Sequence, residues 1–269
     1  MEDDNLIIIR GAGDIATATI CRLYNCGFRL LVLETENPSA IRRRVSLSEA
    51  VYDGQQTVEG VTAERISELS QRHEVWNRKN IPLFIDPCCS HLHRIQAGVI
   101  VDAIVGKKNF GTYMAMAPYT IALGPGFHAG RDVHCVIETA RGHNLGRLIH
   151  SGPPLPNSGV PGDIQGYSRE RVVHASVAGI LEIKRDIGSA VQKGEIIARI
   201  GTIPVHAPLT GLVRGMIRDR FRVKENMKIA DVDPRMNEPE NCFTISDKAR
   251  CISGGVLEAL LSVMNRAHP

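Results

Sequence analysis

The chain has 269 residues with 43% hydrophobic and 23% charged side chains, a balance that excludes a disordered chain. Its net charge of +3 is too small to argue for nucleic acid, and 4% aromatics with one Trp argue against a protein that stacks single-stranded bases. At about 150 residues per domain, the length predicts one large or two modest domains.

The acidic start, Met1-Glu2-Asp3-Asp4-Asn5, lacks the basic segment of a signal peptide. No apolar run approaches the roughly 18 residues of a bilayer span. The seven Cys form no CxxC pair, so neither a zinc knuckle nor a disulfide framework is expected. These features predict a cytoplasmic protein with reduced thiols.

Leu6-Ile7-Ile8-Ile9 reads as a strand buried on both faces. It runs into Gly11-Ala12-Gly13-Asp14-Ile15-Ala16, and Ile15, Ala18, Thr19, Arg22 and Leu23 then recur at helical spacing up to Gly27. Leu30-Leu31-Val32-Leu33 is a second strand, completing a βαβ unit. Val61 to Trp76 has the spacing of a helix. Strands are expected at Pro82–Ile85, Val99–Ile104, Thr120–Leu123 and Val133–Ile137. The fold class expected is α/β, with a Rossmann-like parallel sheet over 1–150.

Residues 151–168 are rich in Gly and Pro and read as a linker or an ordered irregular loop. Beyond it Val173–Leu181 resembles Val205–Val213 at an offset of 32 residues. The short strands broken by Gly predict a small β barrel-sandwich-hybrid module, of the biotinyl/lipoyl-like kind, over 169–234. In its central hairpin, Arg199-Ile200-Gly201-Thr202, there is no Lys to modify. Residues 235–269 carry a helical pattern through Val256, Leu257, Leu260, Leu261 and Met264, expected to return to the first domain.

Gly11-x-Gly13-x-x-Ala16 between a strand and a helix is the pattern that brings backbone close to a pyrophosphate, with Ala16 allowing the helix to lie near the sheet. Glu34 stands 21 residues after Gly13, where an acid can bind ribose hydroxyls. The competing reading is a turn retained without a ligand, and Asp14 could cap the helix in place of a phosphate. Arg43, within Arg42-Arg43-Arg44, and Ser46 could hold a phosphate, or the Arg run could be a solvated surface. Lys107 and the Gly124-Pro125-Gly126 loop follow strand ends, where open α/β sheets bind ligands, though such a loop can also merely turn the chain.

His143, in a segment dense in acid, base and Gly, is a candidate proton carrier or a structural hydrogen bonder. Asp231 and Asp233, at i and i+2, could hold Mg²⁺ or cap a turn and pair with Arg235. Cys88-Cys89, with His91 and His93 nearby, could be a redox thiol pair or incidental.

Several segments together carry a family resemblance: Ile9–Ala16, Arg43-Arg44-Val45 with Ser48–Val51, Val101–Ile104, Ala122–Phe127, Val136–Thr139, Arg141–Arg147, Asp231–Arg235 and Ile245–Arg250. They resemble the selenium-dependent molybdenum hydroxylase accessory proteins, or YqeB family, over nearly the whole chain. A more distant resemblance is to the xanthine dehydrogenase accessory (XdhC-like) Rossmann domain. The resemblance implies an accessory or maturation protein for a selenium-dependent molybdenum hydroxylase, with that enzyme as partner. The ligand would be of dinucleotide type, either molybdenum cofactor in its dinucleotide form or NAD(P).

In that reading Gly11, Gly13, Asp14, Ala16, Glu34, Arg43, Ser46, Lys107, Gly124 and Gly126 contact the cofactor, His143 is the catalytic candidate, and Asp231 and Asp233 are the metal candidates. A homo-oligomer is expected, with neither nucleic acid nor membrane as partner. Two other functions remain open: an NAD-dependent small-molecule oxidoreductase, and a non-catalytic client chaperone that binds no nucleotide. The sequence does not decide whether the protein is an enzyme.

Overall fold

The computed structural model describes residues 6–264; the acidic start at residues 1–5 lies outside them. The chain forms two compact units. Among the described residues, the first comprises 6–38, 46–157 and 245–264, and the second 39–45 and 158–244.

Among the described residues, the first unit is built on nine strands and four α-helices. The strands are β1 (Leu6–Arg10), β2 (Arg29–Glu34), β3 (Gln55–Val58), β4 (Val61–Ile66), β5 (Ile81–Ile85), β6 (Val99–Asp102), β7 (Tyr119–Leu123), β8 (Cys135–Ile137) and β9 (Leu148–Ile149). The helices are α1 (Asp14–Asn25), α2 (Ala50–Asp53), α3 (Arg72–Asn77) and α4 (Asp247–Met264). All nine strands join one sheet in the order β3-β4-β5-β2-β1-β6-β7-β8-β9. From β4 to β8 the pairing is parallel, while β3 and β9 pair antiparallel at the two edges.

The apolar run of β1 is buried on both faces, as a strand in the middle of such a sheet must be. Helix α4 packs on α1 within this unit, and Gly255 lets it also lie close to the turn between β8 and β9: a Cβ there would collide with the Gly146 carbonyl oxygen.

The second unit contains β10 (Val172–His174), β11 (Gly179–Ile183), β12 (Ala190–Val191), β13 (Ile196–Ile200), β14 (Ile203–His206), β15 (Gly211–Met216), β16 (Arg222–Val223) and β17 (Lys228–Asp233). They form two four-stranded antiparallel sheets, β10-β17-β15-β12 and β14-β13-β11-β16. The core includes Leu181, Ile197, Ile200, Val213, Ile229 and Val232. The repeated sequence segments each deliver one strand to each sheet: β10 and β11 from the first copy, β15 and β14 from the second. Residues 39–45 belong here because the Ile41 carbonyl accepts from the Met216 amide at 2.8 Å.

Two expectations are corrected. The fold is not the expected Rossmann-like parallel sheet with a biotinyl/lipoyl-like module. The large sheet is mixed, and β5 to β6, β6 to β7 and β7 to β8 are joined by loops and 3-10 turns where a doubly wound fold places helices. The second unit is described by its two separate antiparallel sheets.

Val61 to Trp76 is not a helix either. Val61, Ala63 and Ile66 are buried in β4, and only a 3-10 turn at Leu69–Gln71 and the short helix Arg72–Asn77 are helical. The overlooked signal is Glu59-Gly60, whose positive φ values of 46° and 82° close a two-residue hairpin between β3 and β4. Pairing with β5 then outweighs the helical spacing.

Candidate functional site

The parallel strands all end on one edge of the large sheet, and a chain of close backbone contacts joins their loops. Gly11 has φ +94°, and a Cβ there would lie 3.1 Å from Ile104 Cα, after β6. A Cβ at Gly126 would lie 2.6 Å from Lys108 Cα, and one at Gly124 would strike the Thr139 hydroxyl, after β8. The sequence-predicted loops at Gly11, Lys107 and Gly124–Gly126 are therefore neighbours. Glycine is required at Gly11, Gly124 and Gly126 by this packing and by positive φ.

Gly13 differs. It is the N-cap of α1 with φ −65° and ψ −179°, an ordinary extended conformation, and no atom lies within 4 Å of where its Cβ would be. Among the glycines whose surroundings are described, Gly13 alone has neither positive φ nor a neighbour that a Cβ would meet. The N-terminus of α1 lacks a side-chain cap; Thr17 is the first residue whose amide closes the helix, onto the Gly13 carbonyl at 2.8 Å. Asp14 does not cap it. Ala16 is fully buried, as the close fit of α1 to the sheet demands.

Glu34 stabilises this loop from below. Its carboxylate accepts from the Ala12 amide at 2.8 Å and from the Thr35 amide at 2.7 Å. Burial pushes its pKa up, against the pull of those two amides. Both oxygens are thus engaged with backbone, in place of the ribose hydroxyls that spacing alone suggested.

Ser48 lies alongside. Its amide donates to the Ala12 carbonyl at 2.9 Å, and its hydroxyl, on a side chain 1% exposed, has no hydrogen-bond partner among the described residues. Bond lengths keep that hydroxyl within about 7 Å of the loop. A buried hydroxyl without a partner costs about 1–3 kcal/mol. Ser46, also buried, precedes it in the same turn.

No sequence motif marks Lys248 as a site residue. It sits half-buried in the first turn of α4, where a cation opposes the helix dipole. Burial and the charge of Arg141 lower its pKa, while Asp14, Glu138 and Asp247 raise it. Lys248 has no hydrogen bond or ion pair with a described residue. Arg141 is held bidentately by Asp247 at 2.8 and 3.1 Å, and Glu138 accepts from the Ala140 and Leu155 amides at 2.7 and 2.8 Å. Lysine 248 is 235 residues from Gly13 in sequence, so no motif could link them.

The remaining predicted residues lie elsewhere or are engaged. Arg43 belongs to the second unit, where it donates to the Met216 carbonyl at 2.7 Å and to Asp186 at 2.5 Å. His143 is exposed in the turn between β8 and β9. Lys107 is exposed with φ +63°.

Asp231 pairs with Arg171. Asp233 is held by Arg235 at 2.7 and 2.9 Å, with Arg214 at 3.6 Å. For Asp233, burial would raise the pKa, but these arginines hold it below the usual range. Two carboxylates each neutralised by arginine are a poor cation site, and no group of three or more His, Cys, Asp or Glu able to hold a metal occurs among the described residues.

Cys88 is exposed, whereas Cys89 is buried with its thiol pushed up to about 11, principally by burial. Asp86, buried at the end of β5, collects the Ser90 amide and hydroxyl and the His91 amide and ring Nδ1. No helix among the described residues is long and apolar enough to cross a membrane.

The fold and site define an α/β protein with a mixed sheet, a glycine-lined ledge at its strand ends and a separate all-β unit. The chain is 48% identical over 261 residues to the uncharacterized protein YqeB of Escherichia coli K12, across 97% of its own length. This similarity supports the YqeB family, and the chain spans about half (48%) of that relative. No family model matches.

Among solved structures, it is similar to the product-bound ectoine utilization protein EutE (DoeB) from Ruegeria pomeroyi, with 12% identity, TM-score 0.26 and coverage of 86% of this chain and 85% of that one. It is similar to an aspartoacylase family protein from Mesorhizobium loti, with 14% identity, TM-score 0.29 and 84% of each chain. It is also similar to a succinylglutamate desuccinylase/aspartoacylase from Rhodobacter sphaeroides, with 14% identity, TM-score 0.27, and 86% and 85% coverage. TM-scores this low transfer no activity to this chain.

The expected molybdenum hydroxylase accessory role is corrected: the relative that matches over most of this chain is named only as uncharacterized, which supports the family resemblance and no accessory role.

Proposed function

We propose that the first unit binds a small phosphate-bearing molecule at the Gly11–Gly13 loop. The free amides at the start of α1 supply the donors, and Lys248 supplies the opposing cation. Gly13 carries this reading: the fold explains every neighbouring glycine, but the bare Cα of Gly13 faces space that only something outside the chain would fill. The unpartnered Ser48 hydroxyl beside the loop supports it independently.

The test is thermal unfolding of the full chain with and without pyrophosphate at low ionic strength. At ten times the dissociation constant, binding adds about 1.4 kcal/mol and raises the midpoint by about 3–6 °C. The Gly13→Ala variant is expected to fold normally and lose this shift. An equal shift in that variant, or none in the parent chain, refutes the reading.

A further inference from the structure

The second unit carries an open, shallow surface groove of about 380 Å³ lined by Lys184, Arg185, Glu195, Ile196 and Arg199. A bulge builds it. The amides of Lys184 and Arg185 both donate to the Ile197 carbonyl at 2.9 Å, so two residues just past β11 face one residue of β13. Such a bulge interrupts strict alternation and re-aims consecutive side chains, here bringing two basic ones to the same wall. Arg199, opposite Glu182 in the regular part of the ladder, completes that wall.

The charges are unbalanced. Glu195 is the sole acid of the lining, and both its oxygens are taken: one by Arg185 Nε at 2.6 Å, the other by the Gln192 amide at 3.0 Å. Lys184 pairs with Glu182, outside the lining. Arg199 makes one long hydrogen bond among the described residues, to the Thr202 carbonyl at 3.3 Å, and the rest of its planar donor set is unused. Ile196 and the aliphatic stems of the basic side chains give the wall an apolar component.

We infer that this groove is a second binding site, for a small organic dianion with an apolar body. Arg199 grips the anionic group through its free fork, Lys184 adds charge, and Ile196 contacts the body. This site is independent of the Gly13 loop, since all its residues lie in the other unit.

Isothermal titration of the full chain at low ionic strength tests it, with phenyl phosphate and phthalate as probes for phosphate and carboxylate dianions. Saturable binding of at least one probe is expected, with a component weakened about tenfold or more in Arg199→Gln and severalfold in Lys184→Gln; that component persists in Gly13→Ala, which removes only phosphate binding at the first unit. Both substitutions fall on solvent-facing side chains, and unaltered thermal midpoints would confirm intact folding. Absence of saturable binding overturns the inference, as does binding indifferent to Arg199→Gln. Binding abolished by Gly13→Ala would also overturn it, by locating the probe at the other unit.

Discussion

Gly11 and Gly13 stand two residues apart, and their replacement by Ala is expected to give opposite results. At Gly11 an L-residue must hold φ +94°, at a cost of about 1–3 kcal/mol. Its Cβ would also press on Ile104 N and Cα at 3.1 Å, backbone atoms that cannot rotate away, adding about 1–3 kcal/mol. Lower chain entropy in the unfolded state returns about 0.4–1 kcal/mol. The net expected loss is roughly 1–5.5 kcal/mol.

At Gly13 the backbone is unstrained and the space empty. Losing a glycine N-cap costs up to about 1 kcal/mol, offset by a similar entropic gain, so stability should change by less than about 0.5 kcal/mol. Urea unfolding followed by Trp76 fluorescence reads this directly: Trp76 is the single Trp and donates to the Leu30 carbonyl inside the first unit. The midpoint should fall by about 1 M or more for Gly11→Ala and stay nearly fixed for Gly13→Ala. If Gly13→Ala destabilises as strongly as Gly11→Ala, the fold itself requires Gly13 and its bare Cα says nothing about a ligand.

Two further outcomes are expected. Arg10, buried at the end of β1, bonds Asp102, Thr112 and the Pro87 and Phe110 carbonyls; Arg10→Met should cost about 3–5 kcal/mol in urea unfolding by leaving the buried Asp102 carboxyl without its cationic partner, held only by the Thr112 hydroxyl and the Ile104 amide, and Asp102→Asn added to it should restore part of the loss. Asp86 sits below its ordinary pKa because the Ser90 and His91 donors outweigh the burial that would raise it. It therefore contributes stability that is present above about pH 4 and lost as pH falls through its lower folded value, so the advantage of the parent chain over Asp86→Asn should shrink between pH 7 and pH 3.

The sequence by itself determined the segments whose physics is local. A continuous apolar run, a glycine turn and a helical repeat specify β1, the loop and α1 within 25 residues, because a strand buried on both faces has few alternatives. The internal repeat likewise announced that β10–β11 and β14–β15 are equivalent. Val61–Ile66 shows where local pattern fails: its spacing suits a helix, and only pairing with β5 makes it a strand.

The site depended on contacts that no spacing encodes. Glu34 is consumed by the loop it was expected to assist, and Arg43, Asp231 and Asp233 are consumed by partners on other strands or loops. Ser48 reaches the loop through one backbone hydrogen bond to Ala12, and Lys248 arrives on the last helix. Which of the chain's charged and polar groups stay unspent is settled only when distant segments pack, because a buried group takes the nearest partner in space, whatever its distance along the chain.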